Sequence, residues 1–400
     1  VESGAAGRER DGFLRLLSLE LLFADEVCAG LLSDEKLLAA MARFEGALAR
    51  VSAPAPHAET IWRVCEGARF DHALLAREGR EGTLAIPFVK QLTALVAAVS
   101  PEAARHVHAG ATSQDVIDTA VVLCLKPACA RTEQLAIRLG DAAAELARRH
   151  ARTPTAARTL LQPALPVTFG WKAAVWLSIV ARSLAGLRTA ARAACVLQFG
   201  GPSGTLSSFG ERGGAVMAAL AQELELPSEL LPWHSARDRF ARLGAELAIL
   251  AGAAGKIGRD VSLLMQPEVG EAAEGGRAGR GGSSSMPHKR NPALSMLALE
   301  AAQRAPGLAA TLLAQLTPEH ERGLGQWQSQ WFTLRELVCA AASGAGAAAD
   351  VLEGLEVNEA AMRDNLASLL KGQAPDAFGS AGAMIERALA DWSTSRGTAP

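Results

Sequence analysis

At 400 residues the chain exceeds one small domain, and about 150 residues per domain sets the expectation at two or three. A formal net charge of −2 gives no electrostatic footprint for nucleic acid. The absence of tyrosine excludes tyrosine catalysis, and aromatics at 4% make a poor base-stacking platform. With 20% charged residues and a mean hydropathy of +0.14, more apolar surface is expected than one copy buries, hence subunit contacts.

The opening VESGAAGRERDGF carries no signal-peptide h-region, and no apolar run reaches 18 residues, the best being broken by Lys90, Lys126 or Lys256. A cytoplasmic protein without membrane contact is expected. Cys28, Cys65, Cys124, Cys129, Cys195 and Cys339 lie scattered in apolar stretches and read as buried, reduced thiols. Residues 1–107 form an N-terminal part of short helices, closed by Pro101 and the segment 105–114. Residues 108–353 read as a central bundle of long helices. The stretches 115–150, 166–197 and 292–317 are long and helical, and Phe240, Leu243, Leu247, Leu250, Ala254, Ile257, Val261 and Leu264 recur every three or four positions. Thr153–Pro166 and Gly200–Gly213 are expected to be loops, and 268–283 a glycine-rich stretch without periodicity. Residues 354–400 form a C-terminal helical domain, left open to being incomplete. Helices apolar on several faces belong inside a large bundle.

Most stock motifs fail. Lys256 is not followed by Ser or Thr as a P-loop requires, and Gly200, Gly201 and Gly204 follow no strand. No G-x-S-x-G elbow exists, and His106, His108, Asp115 and Asp118 lack a metal spacing. Three polar segments remain. In His108-Ala109-Gly110-Ala111-Thr112-Ser113-Gln114-Asp115, one hydroxyl can cap the helix that follows, which leaves His108, the other hydroxyl and Gln114 unassigned. Thr159-Leu160-Leu161-Gln162-Pro163-Ala164 precedes another long helix. Gly282-Ser283-Ser284-Ser285-Met286-Pro287-His288-Lys289-Arg290-Asn291-Pro292 opens a third, where helix-start donors, serine hydroxyls and Lys289 suit a carboxylate.

These residues carry a resemblance. GSSSMPHKRNP at 282–292 resembles the signature G-S-S-x-M-P-x-K-x-N-P of the fumarase/aspartase superfamily, and HAGATSQDVIDT at 108–119 resembles its first active-site segment. QPALPVTFGWKAAVW at 162–176, LQFGGPSGTLSSFGERG at 197–213, the stretch from WHSARDRFARL to 271, and EHERGLGQWQSQW at 319–331 are similar to the bacterial 3-carboxy-cis,cis-muconate cycloisomerases within it. The resemblance implies an all-α, three-domain fold with a central bundle of long helices. It also implies a homotetramer with active sites shared between subunits, and neither cofactor nor metal. The substrate implied is a small tricarboxylate of the protocatechuate branch of aromatic catabolism, closed to a γ-lactone by its own carboxylate. Residue by residue, Ser283 matches the catalytic serine, with Ser284 beside it. His108, Thr112, Ser113, Gln162, Lys289 and Asn291 match substrate-binding positions. The departure is Leu160, which follows Arg158-Thr159 where many members carry a catalytic histidine; it counts against the fumarase, argininosuccinate and adenylosuccinate lyase branches. A β-elimination lyase of the superfamily and a non-catalytic helical oligomer are the alternatives.

Overall fold

The computed structural model describes residues 23–275, 281–282, 285–286, 289–370 and 378–397. Six short helices open it: α1 (Glu26–Leu31), α2 (Asp34–Ser52), α3 (Ala55–Gly67), α4 (His72–Glu78), α5 (Ala85–Ala97) and α6 (Pro101–Ala104). Asp25, Ser33 and Asp71 cap three of them by accepting a backbone N–H three residues on. Five long helices follow: α7 (Ser113–Arg149), α8 (Phe169–Ala194), α10 (Asp238–Leu264), α11 (Ala293–Ala314) and α12 (Gln326–Glu353), with the shorter α9 (Gly213–Glu223) between α8 and α10. α13 (Glu359–Leu370) and α14 (Ala381–Gly397) close the described chain.

The long helices alternate in direction and share one core. α10 packs on α8, α11 and α12, while α7 packs on α8 and α12. Small residues set the spacing. A Cβ on Gly255 of α10 would sit 2.2 Å from the Cβ of Ala302 on α11, so these backbones approach closer than any side chain permits. Trp176, Phe169, Leu177, Leu247, Leu250, Leu337 and Ala345 are fully buried between them.

The all-α expectation holds except for two small antiparallel sheets. Thr153–Pro166, expected as a loop, is largely a hairpin of β1 (Pro154–Thr159) and β2 (Gln162–Thr168), with a register shift between Ala156 and Arg158. Pro154, Pro163 and Pro166 hid it, because prolines remove ladder donors and demote a strand reading; an isolated two-stranded ribbon tolerates them. The second sheet pairs β3 (Ala272–Ala273) with β4 (Glu356–Val357). All six cysteines are buried and unpaired. Among the described residues, no helix is long and apolar enough to cross a membrane.

Candidate active site

The described candidates lie at two opposite ends of the bundle. His108, Thr112 and Ser113 stand at the start of α7. Its 37 residues run about 55 Å before the chain enters the β1–β2 hairpin that carries Gln162. α10 returns from the first end to the second over 27 residues, about 40 Å. There Glu271 ties the chain to the hairpin, and Lys289 and Asn291 lie just before α11.

At the first end the α7 cap is unusual. Thr112 is the N-cap residue, but the cap bond comes from the Thr112 N–H, which donates to Asp115 Oδ2 at 3.1 Å. The Thr112 hydroxyl instead accepts from Arg322 Nη1 at 2.9 Å, and Arg322 also donates to the Pro202 carbonyl. Asp115 is completely buried. It takes further bonds from Gly200 N, Gly201 N, Gln198 Nε2 and His234 Nε2, at 3.0, 2.8, 3.1 and 2.8 Å. One carboxylate therefore pins the 108–113 segment to two other loops. Gln114 adds a bond to the His234 carbonyl and Gln198 accepts from Trp233 N. His108, with a left-handed φ of 59°, donates from Nδ1 to the buried Glu45 of α2 at 2.6 Å. Burial opposes charge on the imidazole, but the carboxylates of Glu45 and Asp115 outweigh it and raise the His108 pKa above its ordinary value. Hydroxyls, an imidazole, a guanidinium and the N-terminus of a long helix thus converge, a set of groups suited to an anion.

At the second end, Gln162 is exposed at the root of a two-residue turn. Leu160 and Leu161 both take left-handed φ, 52° and 64°, and stand 96% and 74% exposed. Such turns favour Asn-Gly, so two leucines here are strained and apolar in the open. Arg158 binds Glu271 through both terminal nitrogens, at 2.9 and 2.6 Å. Glu271 also accepts from Thr155 Oγ1 and Asn365 Nδ2. Burial alone would raise the Glu271 carboxyl, yet these donors hold it below the ordinary range. Lys172, in the first turn of α8, is pushed down by burial and by the nearby Arg158. Asn291 N donates to the Gly281 carbonyl at 2.8 Å, and a Cβ on Gly281, whose φ is +72°, would strike the Asn291 carbonyl. Lys289 is exposed, its N–H turned back to Met286 O. Glu274 caps α11 by accepting from Leu294 and Ser295 N–H groups. Ser283, Ser284 and His288 lie outside the described residues, as does 276–280 of the glycine-rich stretch.

Sequence reasoning missed Glu45, Asp115, Arg322, Gln198, His234 and Glu271 as parts of these clusters. Only Asp115 had a local signal, three residues after Thr112 in capping-box spacing; the others come from distant segments. Among the described residues no group of three or more His, Cys, Asp or Glu is arranged to hold a metal.

Comparison with known proteins agrees with this architecture. The family model described as lyase matches residues 64–307. A 3-carboxy-cis,cis-muconate cycloisomerase of Bradyrhizobium diazoefficiens is 49% identical over 339 residues, covering 83% of this chain and 75% of its own length. A nitrosuccinate lyase of Streptomyces davaonensis is 43% identical over 349 residues, covering 84% and 73%. The crystal structure of 3-carboxy-cis,cis-muconate lactonizing enzyme from Pseudomonas putida superposes with a TM-score of 0.89 at 35% identity, over 94% of this chain and 99% of that one. With a family match over more than half its length and such relatives over most of it, the chain belongs to the lyase family, within the fumarase/aspartase superfamily.

Proposed function

We propose that the chain is a cycloisomerase that closes 3-carboxy-cis,cis-muconate to a carboxymuconolactone. The observation that carries this is the 49% identity to the Bradyrhizobium diazoefficiens cycloisomerase over 83% of the chain. Leu160 at the hairpin tip, where many other superfamily members place a histidine, points the same way. In the reaction one substrate carboxylate oxygen bonds to an alkene carbon of the diene. The π electrons move toward a second carboxylate as an aci-carboxylate, and a proton adds to the adjacent carbon. A trianion becomes a dianion, so one proton is taken up. Fixed donors and cations favour the added negative charge of the intermediate, which is where such groups lower a barrier most. His108, Thr112, Ser113, Gln162, Lys289 and Asn291 are the groups we assign to the three carboxylates, and Ser283, with Ser284, to the proton at carbon.

The two groups of residues stand roughly 40 to 55 Å apart in one chain, by the lengths of α10 and α7, which supports a site drawn from more than one copy. We assign the remedy to a homotetramer in which the start of α7 in one copy meets the hairpin and the 281–291 segment of others. Exposed Leu160, Leu161 and Leu165 on the hairpin, Ile249 on α10, Met296 and Leu313 on α11 and Phe332 on α12 supply the apolar surface such an assembly buries. A cytoplasmic location fits a catabolic enzyme of this kind.

The test is loss of the substrate's diene ultraviolet absorbance on mixing with purified protein. Turnover is expected to persist after EDTA dialysis, since the resemblance implies protein groups alone. The second reading, an elimination lyase like the 43%-identical nitrosuccinate lyase, gains if nitrosuccinate is consumed and the muconate is not.

A further inference from the structure

Glu45 occupies an odd position for a carboxylate. It lies mid-way along α2, 1% exposed, among Met41, Phe44 and Leu48, which are fully buried. Its Oε2 is buried with no hydrogen-bond partner among the described residues, and its Oε1 meets His108 Nδ1 at 2.6 Å. A buried carboxylate held by a single neighbour is costly unless that neighbour is a cation. A separation of 2.6 Å is just under the usual range, about 2.7–2.9 Å, of a charge-assisted N–H···O bond. The His108 side chain keeps 20% of its surface exposed, and with Nδ1 spoken for, Nε2 is its outward nitrogen. The left-handed backbone at His108 holds the ring in this position against a steric cost, the kind of strain that persists where surroundings enforce it.

We propose that Glu45 is a positioning residue for substrate binding: it fixes His108 as an outward-facing imidazolium that pairs with one carboxylate of the tricarboxylate substrate. This rests on the cycloisomerase reading of the site. The charged groups that act on the ring are Glu45 from α2 and Asp115 from α7; Arg322, from the segment after α11, bonds the nearby Thr112, and the Cys65 thiol of α3 faces Glu45. Asp115 shares its charge among five donors, and Arg322 adds positive charge. Among the described residues, Glu45 has His108 as its one hydrogen-bonding counter-charge. Its direction of influence is to keep the ring protonated above the ordinary histidine pKa.

The experiment compares wild type with Glu45→Gln, whose amide oxygen still accepts from Nδ1–H but carries no charge. Titration of isotope-labelled histidine rings by nuclear magnetic resonance should show the His108 pKa fall in the variant. At about pH 8, KM for the muconate should rise roughly tenfold or more with a smaller change in kcat, and at about pH 5.5 the two KM values should converge. Calorimetric binding of citrate, a stable tricarboxylate, carries the same comparison without turnover. Wild type inert to the muconate yet binding citrate in this pH-dependent way would remove the reaction and leave the dyad standing. Equal affinity in wild type and variant at both pH values would overturn the proposal, as would an equal loss at both, which marks a purely structural role. Absence of both turnover and citrate binding would overturn it together with the reaction. Should Glu45→Gln not fold, Glu45→Asp, which withdraws the charge by one methylene, serves with a smaller shift in the same direction.

Discussion

Asp115 is the residue on which the first cluster depends. Five donors converge on its two oxygens, two of them backbone N–H groups of a glycine loop, and all but the half-buried Thr112 N–H are buried with it. Asp115→Ala strands these donors and should cost on the order of 3–5 kcal/mol in denaturant unfolding, as removing one member of a buried polar network does. Thr112→Val should behave differently. The cap of α7 is carried by Asp115 accepting from the Thr112 N–H, not by the hydroxyl, so the usual penalty of about 1 kcal/mol for a lost N-cap is not expected. What Thr112→Val loses is the oxygen that engages Arg322 and, in our assignment, the substrate. A nearly unchanged melting temperature with a raised KM would bear this out; a melting temperature several degrees lower would return Thr112 to a structural role.

Two elements make tests at the next scale. The hairpin is docked by Arg158 and Thr155 on Glu271, whose carboxyl is held below its ordinary range. A depressed folded-state pKa stabilises the protein above the unfolded value of about 4.3 and loses that contribution as pH falls through the folded value. The stability difference between wild type and Glu271→Gln should therefore stay constant from neutrality to about pH 5, then close as the medium becomes more acid. A gap that persists in strong acid would mean that packing, not charge, docks the hairpin. The α10–α11 contact offers a prediction against helix propensity. Alanine is the better helix former by about 1 kcal/mol, yet Gly255→Ala places a methyl 2.2 Å from Ala302 Cβ and should destabilise the bundle by forcing the helices apart. Thermal unfolding of that variant reads the sign directly.

For the whole molecule, the separation of the clusters along α7 and α10 is the governing fact. If the site is assembled between copies, light scattering should return about four times the chain mass. Thr112→Val and Lys289→Ala carry their binding defects at opposite ends of the bundle, so mixed tetramers of the two impaired chains would contain some sites with neither defect. Co-refolding such a pair should restore part of the turnover at low substrate that each variant alone has lost. A stable active monomer, or no recovery in verified mixed tetramers, would contradict a shared site.

The sequence by itself determined the long helices, because apolar residues every three or four positions leave a helix one way to bury them, and Ala-rich faces demand neighbours on several sides. It also marked the segments at 108–119 and 282–292, where polar groups exceed what capping and packing use. Tertiary structure alone decided how those segments are supported. Glu45 lies 63 residues before His108, and Arg322 lies 210 after Thr112, so neither partner leaves a trace in local spacing. The hairpin at 154–168 was illegible for a related reason: three prolines erase the strand signal, and its docking rests on Glu271, more than a hundred residues away in the chain. Periodicity is a local property that one helix reveals alone, whereas a buried carboxylate is placed by whatever donors the folded chain brings to it, and those are chosen in three dimensions.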